Sequence, residues 1–186
     1  MVDHVAGSAP APTDPWAGGN LHHDGLVLRP WTLDDVPVMV ELFDTAEMDR
    51  WTPLAHPFDE AAARAYVEAA VAGRQHGLLQ LAITIDGSTP LGEVLLFGTD
   101  EPGVCELAYA VGAEHRGQAL ATRSINGVLP VARADGYRSA RLRIATDNEP
   151  SRATAHAAGF ALTDDPLLRR ERKGYVLHLA TWRREL

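Results

Sequence analysis

Residues 104–122 read VCELAYAVGAEHRGQALAT, and the stretch changes character twice. Residues 104–112 alternate, with Cys105, Leu107, Tyr109 and Val111 on one face and Glu106, Ala108 and Ala110 on the other, which predicts a strand. AEHRGQALA is small and polar, and it runs without a break into a helical pattern over 121–137. A loop feeding a helix N-terminus presents unpaired backbone N–H groups at the positive end of the helix dipole, a ready site for phosphate. Arg116 adds a formal charge there. Gly117, Ala119 and Ala121 carry too little side chain to keep phosphates from the backbone. Alone, small residues before a helix are a weak signal.

Upstream, LLQLAITID (78–86), the turn GSTP and LGEVLLFG (91–98) predict a hairpin that strand 104–112 extends into a meander. LVLRP (26–30) predicts a first strand, ended by Pro30. An amphipathic helix follows in DDVPVMVELFDTA, capped by Thr32 or Asp34, with Val36, Val40 and Phe43 on its apolar face. EMDRWTPLAHPF (47–58) reads as a loop, and a second helix runs from its cap at Asp59 to Gly73. Downstream, Pro130 predicts a bend or a local adjustment within the 121–137 helix. RSARLRIAT (138–146) and GYVLHLATW (174–182) read as strands, and NEPSRATAHAAGF (148–160) as a short helix ending at Gly159. Antiparallel hairpins with helices interposed point to an α+β fold with a mixed, mostly antiparallel sheet.

Residues 1–24 are rich in Pro, Gly, Ala and Asp without hydrophobic period, which predicts a disordered leader before a single domain over 25–186. His22 and His23 are expected to be solvated tail residues. The 186 residues are 46% hydrophobic and 23% charged, an ordinary globular composition. No apolar run approaches the ~18 residues of a membrane span, and the N-terminus lacks the basic start and apolar stretch of a secretory signal, so the cytoplasm is the expected location. A single cysteine, Cys105, rules out an internal disulfide and a cysteine-built metal site. The net charge of −8 argues against non-specific nucleic-acid binding. Its distribution is uneven: residues 25–101 hold 13 acidic and 4 basic groups, whereas 102–162 hold 5 acidic and 7 basic ones. That asymmetry permits an anionic ligand on the second half and a cationic one on the first, and it is equally the ordinary drift of surface charge along a chain.

With its flanks in place, the sequence resembles the GNAT superfamily of N-acetyltransferases, in the branch of ribosomal-protein N-terminal acetyltransferases, over about 26–183. LVLRPWTLDDV looks like the family's opening strand and helix, ELAYAVGAEHRGQALAT like its pyrophosphate motif, and NEPSRATAHAAGF like the motif that follows. The resemblance implies the GNAT fold, with six to seven strands flanked by about four helices. It also implies transfer of an acetyl group from acetyl-CoA to a primary amine by direct attack, without a metal. The family's central phosphate-loop glycine is Ala119 here, whose methyl crowds the pyrophosphate unless the local dihedrals are helical. Ala155 stands where another branch carries a tyrosine acid.

Such a reaction needs a base for the amine, a donor for the developing oxyanion and a proton for the thiolate. Glu106, beside two alanines with room for a substrate, is the expected base. The backbone near Tyr109, Ala110 and Val111 is implied to polarise the thioester, in a cleft where this strand splays from the next. Ser151 is the expected acid, acting directly or through water. Arg116, Gly117, Gln118, Ala119, Leu120, Ala121 and Thr122 are expected around the phosphates, with Asn148 and Ser151 along the pantetheine arm and His156 in reach of the donor. Trp51 and Glu93 are lesser candidates for the acceptor pocket, Glu93 reading more simply as an exposed strand charge. The acceptor is a protein N-terminus or a small cationic amine, and family analogy allows a homodimer. The alternatives are a longer or acidic donor such as succinyl-CoA, or a non-catalytic CoA-binding or regulatory relative whose loop has decayed at Ala119.

Overall fold

The computed structural model describes residues 19–186. Of the expected leader, residues 1–18 lie outside the described residues, and the remainder departs from expectation. Leu21–His23 form β1, paired antiparallel with β2 (Leu26–Pro30). Three residues carry no period of their own. The tight turn makes the strand, with Asp24 and Gly25 at φ 46° and 71°.

A 3-10 turn (Leu33–Asp35) leads into α1 (Val36–Phe43), α2 (Ala46–Trp51) and α3 (Glu60–Gly73). Thr32 opens the turn, its N–H and hydroxyl both donating to the Asp35 carboxylate. The loop reading of 47–58 is corrected over 47–51: Thr45 caps α2 by accepting the Met48 N–H at 3.1 Å, but six residues are too few to display a helical period. Asp59 caps α3 as expected, accepting the Ala62 N–H at 2.9 Å. Gly73 stays helical, and the left-handed residue that turns the chain is Gly77, at φ 77°.

The meander follows as β3 (Leu79–Thr84), β4 (Gly92–Gly98) and β5 (Val104–Val111). Then come α4 (Leu120–Ala134), which continues through Pro130, β6 (Ser139–Ala145) and α5 (Glu149–Ala157). β7 (Ala161–Leu162), β8 (Leu168–Arg172) and β9 (Tyr175–Glu185) end the chain. All nine strands join one sheet, in the order β1-β2-β3-β4-β5-β6-β9-β7 with β8 on β9. It exceeds six to seven strands because pairing recruits short or arginine-rich edge segments, and α2 raises the helices to five. Every pairing is antiparallel except β5 with β6.

The sheet is covered on both faces. Ile125, Val128 and Leu129 of α4 and Ala155 of α5 pack on one, with Leu28, Leu81, Leu107 and Leu142. On the other, Met39 and Phe43 of α1 and Val67 of α3 enclose Trp31, Phe58, Ala82 and Ala110. There Trp31, Phe43, Phe58 and Tyr66 contact edge to face in series, with centroids 5.8–6.0 Å apart. This aromatic row fixes Tyr66 over the middle of the sheet. No helix among the described residues is long and apolar enough to cross a membrane.

One irregularity positions the site. β5 and β6 pair only from Val104–Ser139 to Glu106–Arg141, although β5 runs on to Val111 and β6 to Ala145. Beyond Glu106 the two parallel strands separate. On its other side β5 is held tightly: a Cβ on Gly92 would lie 2.3 Å from the Ala110 carbonyl oxygen, so the close approach of β4 needs glycine. Cys105 lies in the closed part of the β5–β6 pair, where burial pushes its thiol up to about 11 and leaves it inert.

Candidate active site

The gap between β5 and β6 opens into a cleft of about 890 Å³ that crosses the sheet from the α1–α3 face to the N-terminus of α4. Alternation along β5 sorts its groups. Gly112 donates its N–H to Leu91, so Ala110 points its N–H toward β4, while Tyr109 and Val111 direct theirs into the gap. Tyr109 and Val111 are therefore the two with N–H groups open to the gap, and Ala110 presents only a methyl there.

At one end of the cleft lies the loop expected to hold phosphate. Gly117 adopts φ 78°, and Ala119, the N-cap residue of α4, is left-handed at φ 54°. The helical dihedrals that would make its methyl harmless are thus absent. A methyl in this region costs roughly 1 kcal/mol against glycine. Ala119→Gly is accordingly expected to raise stability by about 1 kcal/mol, readable as a higher Tm, with donor affinity kept. The first bond inside the helix runs from Arg123 to the Ala119 carbonyl, and no side chain caps the helix. The N–H groups of Leu120, Ala121 and Thr122 are left for an anion. Arg116 stands beside them in an ion pair with Glu47 at 3.0 Å, both about two-fifths exposed. Exposed pairs contribute little, so a phosphate can displace Glu47. Gln118 and His156 do not line the cleft. Gln118 turns back onto the His115 carbonyl at 3.4 Å, and His156 is exposed on α5.

Along the gap, Asn148 caps α5, its Oδ1 accepting the Ser151 N–H at 3.2 Å. The helix-cap reading of Asn148 is therefore realised, and its Nδ2 faces the same cleft without a hydrogen bond among the described residues. The Ser151 carbonyl accepts the Tyr109 hydroxyl at 2.9 Å, which ties β5 to α5. Burial pushes that phenol up to about 12, so it remains a donor. Ser151 lines the cleft with its hydroxyl free of partners among the described residues.

The acceptor end differs most from expectation. Glu106 is tied up: its Oε2 accepts Arg141 Nε at 2.7 Å and lies 3.6 Å from Arg143 Nε. Glu93, read as an exposed strand charge, is only 4% exposed. It sits on β4 directly opposite Ala110, under the α1–α3 layer, and both carboxylate oxygens accept the Tyr66 hydroxyl, at 2.9 and 3.1 Å. Burial pushes the Glu93 carboxyl up to about 7. The Tyr66 hydroxyl and the Trp31 indole pull the other way, although the indole Nε1–H completes no hydrogen bond. A signal was present in GEVLLFG: Glu93 shares its face with Leu95 and Phe97, the company of a buried position. Trp51, on α2, does line the cleft. Its helix is held over the mouth by ion pairs from Arg50 to Asp147 and from Asp49 to Lys173, both at 2.7 Å.

Comparison with known proteins agrees with this geometry. The family described as "Acetyltransferase (GNAT) domain" matches residues 25–161. No curated protein matches the chain. Among solved structures, Mycobacterium smegmatis RimJ in complex with CoA-disulfide is 20% identical, with 92% of this chain and 88% of that one covered at a TM-score of 0.77. RimL, a ribosomal-protein alpha-N-protein acetyltransferase in complex with coenzyme A, is 18% identical, covering 90% and 98% at 0.77. The microcin self-immunity acetyltransferase MccE, in complex with acetyl-CoA and AMP, is also 18% identical, covering 96% and 98% at 0.76. With the matched region running from β2 to β7 through the splayed strands and the uncapped α4, the chain belongs to the GNAT acetyltransferase family.

Proposed function

We propose that this protein transfers the acetyl group of acetyl-CoA to a primary amine, on a protein N-terminus or a small molecule, with Glu93 as the base. The observation that carries this reading is the buried Glu93 carboxyl, pushed up to about 7 by burial, directly opposite Ala110 in the cleft that the Tyr109 and Val111 N–H groups also enter. Most amines are protonated at neutral pH, so a base that can hold a proton or release it there matches the task. Acetyl-CoA supplies an activated thioester when bound. The α4 N-terminus and Arg116 hold its pyrophosphate, and the Asn148 Nδ2 meets the pantetheine arm. Glu93 takes a proton from the amine. The Tyr109 and Val111 N–H groups receive the negative charge that develops on the carbonyl oxygen. As the amine nitrogen bonds to the carbonyl carbon and the C–S bond breaks, the Ser151 hydroxyl passes a proton to the departing sulfur and regains one from water.

Calorimetric titration with acetyl-CoA, followed by thiol-release assays over a panel of amines, tests the reading. Micromolar binding and amine-dependent release are expected, and failure of both would favour the non-catalytic alternative. Ser151→Ala is expected to lower kcat only about tenfold, because a hydroxyl is poorly matched to protonating a thiolate and falls below the ~10²-fold of a good general acid. A loss of ~10³-fold would make Ser151 the principal acid, and no change would leave the proton to water.

A further inference from the structure

Five arginines line the cleft against three glutamates, one of them Glu93. Arg116 belongs to the phosphate end. Arg141 is compensated, by Glu106 at 2.7 Å, Glu101 at 3.6 Å and Asp100 at 3.9 Å. The remaining three are not. Arg143 has only a 3.6 Å share of the Glu106 oxygen already taken by Arg141. Arg170 and Arg172, projecting from β8, form no ion pair among the described residues. Arg172 donates to the Trp51 carbonyl at 3.3 Å, and its Nε–H is buried without an acceptor. Burial and repulsion from Arg170 together push its guanidinium down, with no carboxylate opposing them. A buried, charged donor lacking an acceptor is costly in the free protein and is relieved by an incoming anion.

The donor's pyrophosphate already has Arg116 and the uncapped α4 N-terminus, and an acetyl group is uncharged. We infer that the acceptor amine itself carries an anion, a carboxylate or phosphate, received by Arg170 and Arg172. This inference rests on the acetyl-transfer reading above, and it favours an anionic acceptor over the cationic one suggested by charge along the chain.

The test uses the full chain, acetyl-CoA, and hexapeptides that differ only in carrying two Glu, two Gln or two Lys after the N-terminal residue. A parallel arm compares 6-aminohexanoate with hexylamine and glycine, and separates a small-molecule source of the anion from a peptide one. The acidic member of a pair is expected to exceed its neutral counterpart about tenfold in kcat/KM, with the gap shrinking at about 0.5 M salt. In Arg172→Gln, and independently in Arg170→Gln, the acidic-to-neutral ratio should fall to within about twofold. Equal or inverted preference, with transfer otherwise intact, overturns the inference and leaves the acetyl-transfer reading standing. A tenfold preference for succinyl-CoA that those variants abolish places the anion on the donor and also overturns it. Absence of transfer to every amine overturns both.

Discussion

Glu93→Gln is expected to lower kcat by ~10²–10⁴-fold while acetyl-CoA still binds, the range over which a general base contributes. Gln keeps the shape of the side chain and an oxygen to accept the Tyr66 hydroxyl, so the change removes basicity and little else. Glu106→Gln makes the contrast. That carboxylate is held by Arg141 and Arg143, and its replacement loosens the arginines and should cost about tenfold or less, mainly in KM for the acceptor. The reverse ranking of the two variants would return the base to Glu106. The wild-type profile of kcat/KM against pH should fall on the acid side with an apparent pKa near 7, and Glu93→Gln should lose that limb.

The same group makes a stability statement. The folded state raises the Glu93 pKa from an ordinary 4.5 to about 7, so it binds this proton more tightly than the unfolded chain does. Stability from the group is full below pH 4.5 and is lost as pH rises through 7. At 1.36 kcal/mol per unit, the cost of keeping a charged Glu93 above neutrality is about 3 kcal/mol. Glu93→Gln should therefore have a higher Tm than the parent at pH 8, with the difference vanishing at acid pH. A variant that is more stable and nearly inactive is the signature of a buried base retained for chemistry.

Much of this was legible beforehand, and the failures share a cause. The meander, the phosphate loop and the α5 cap announce themselves through short-range pattern: alternation in VCELAYAV, small residues ahead of a helix, and Asn148 three residues before the N–H it accepts. The features that were missed depend on partners far away in sequence. LHH becomes a strand only beside β2, and LRRER, which has no apolar alternation of its own, becomes β8 only against β9. Glu106 looks free until β6 brings Arg141, 35 residues on, level with it. Glu93 looks exposed until α3 lays Tyr66 over it. Strand alternation tells which residues share a face. It cannot tell which length of a face a helical layer covers: Glu93 and Glu106 share one face of the sheet, and only Glu93 lies under Tyr66, which favours it as the proposed base.

Gly117→Glu is expected to reduce acetyl-CoA affinity ~10²-fold or more, for electrostatic rather than steric reasons. A Cβ at Gly117 meets nothing within 4 Å, so a side chain has room. Its φ of 78° strains any other residue by roughly 1 kcal/mol, which Gly117→Ala would measure by itself and which should cost donor affinity less than tenfold. The carboxylate adds a charge beside the free N–H groups of α4. At ~5 Å from a phosphate and an effective dielectric of ~20, each like-charge pair is worth about 3 kcal/mol, near 10²-fold in affinity. It also offers the uncapped helix an intramolecular anion in place of the ligand. Gly117→Arg carries the same backbone strain with the opposite charge and should bind at least as tightly as Gly117→Ala. Calorimetry on the three variants separates backbone, bulk and charge. Should the Glu variant bind acetyl-CoA like the parent, the pyrophosphate does not sit at this helix, and the polarity assigned to the cleft reverses with it.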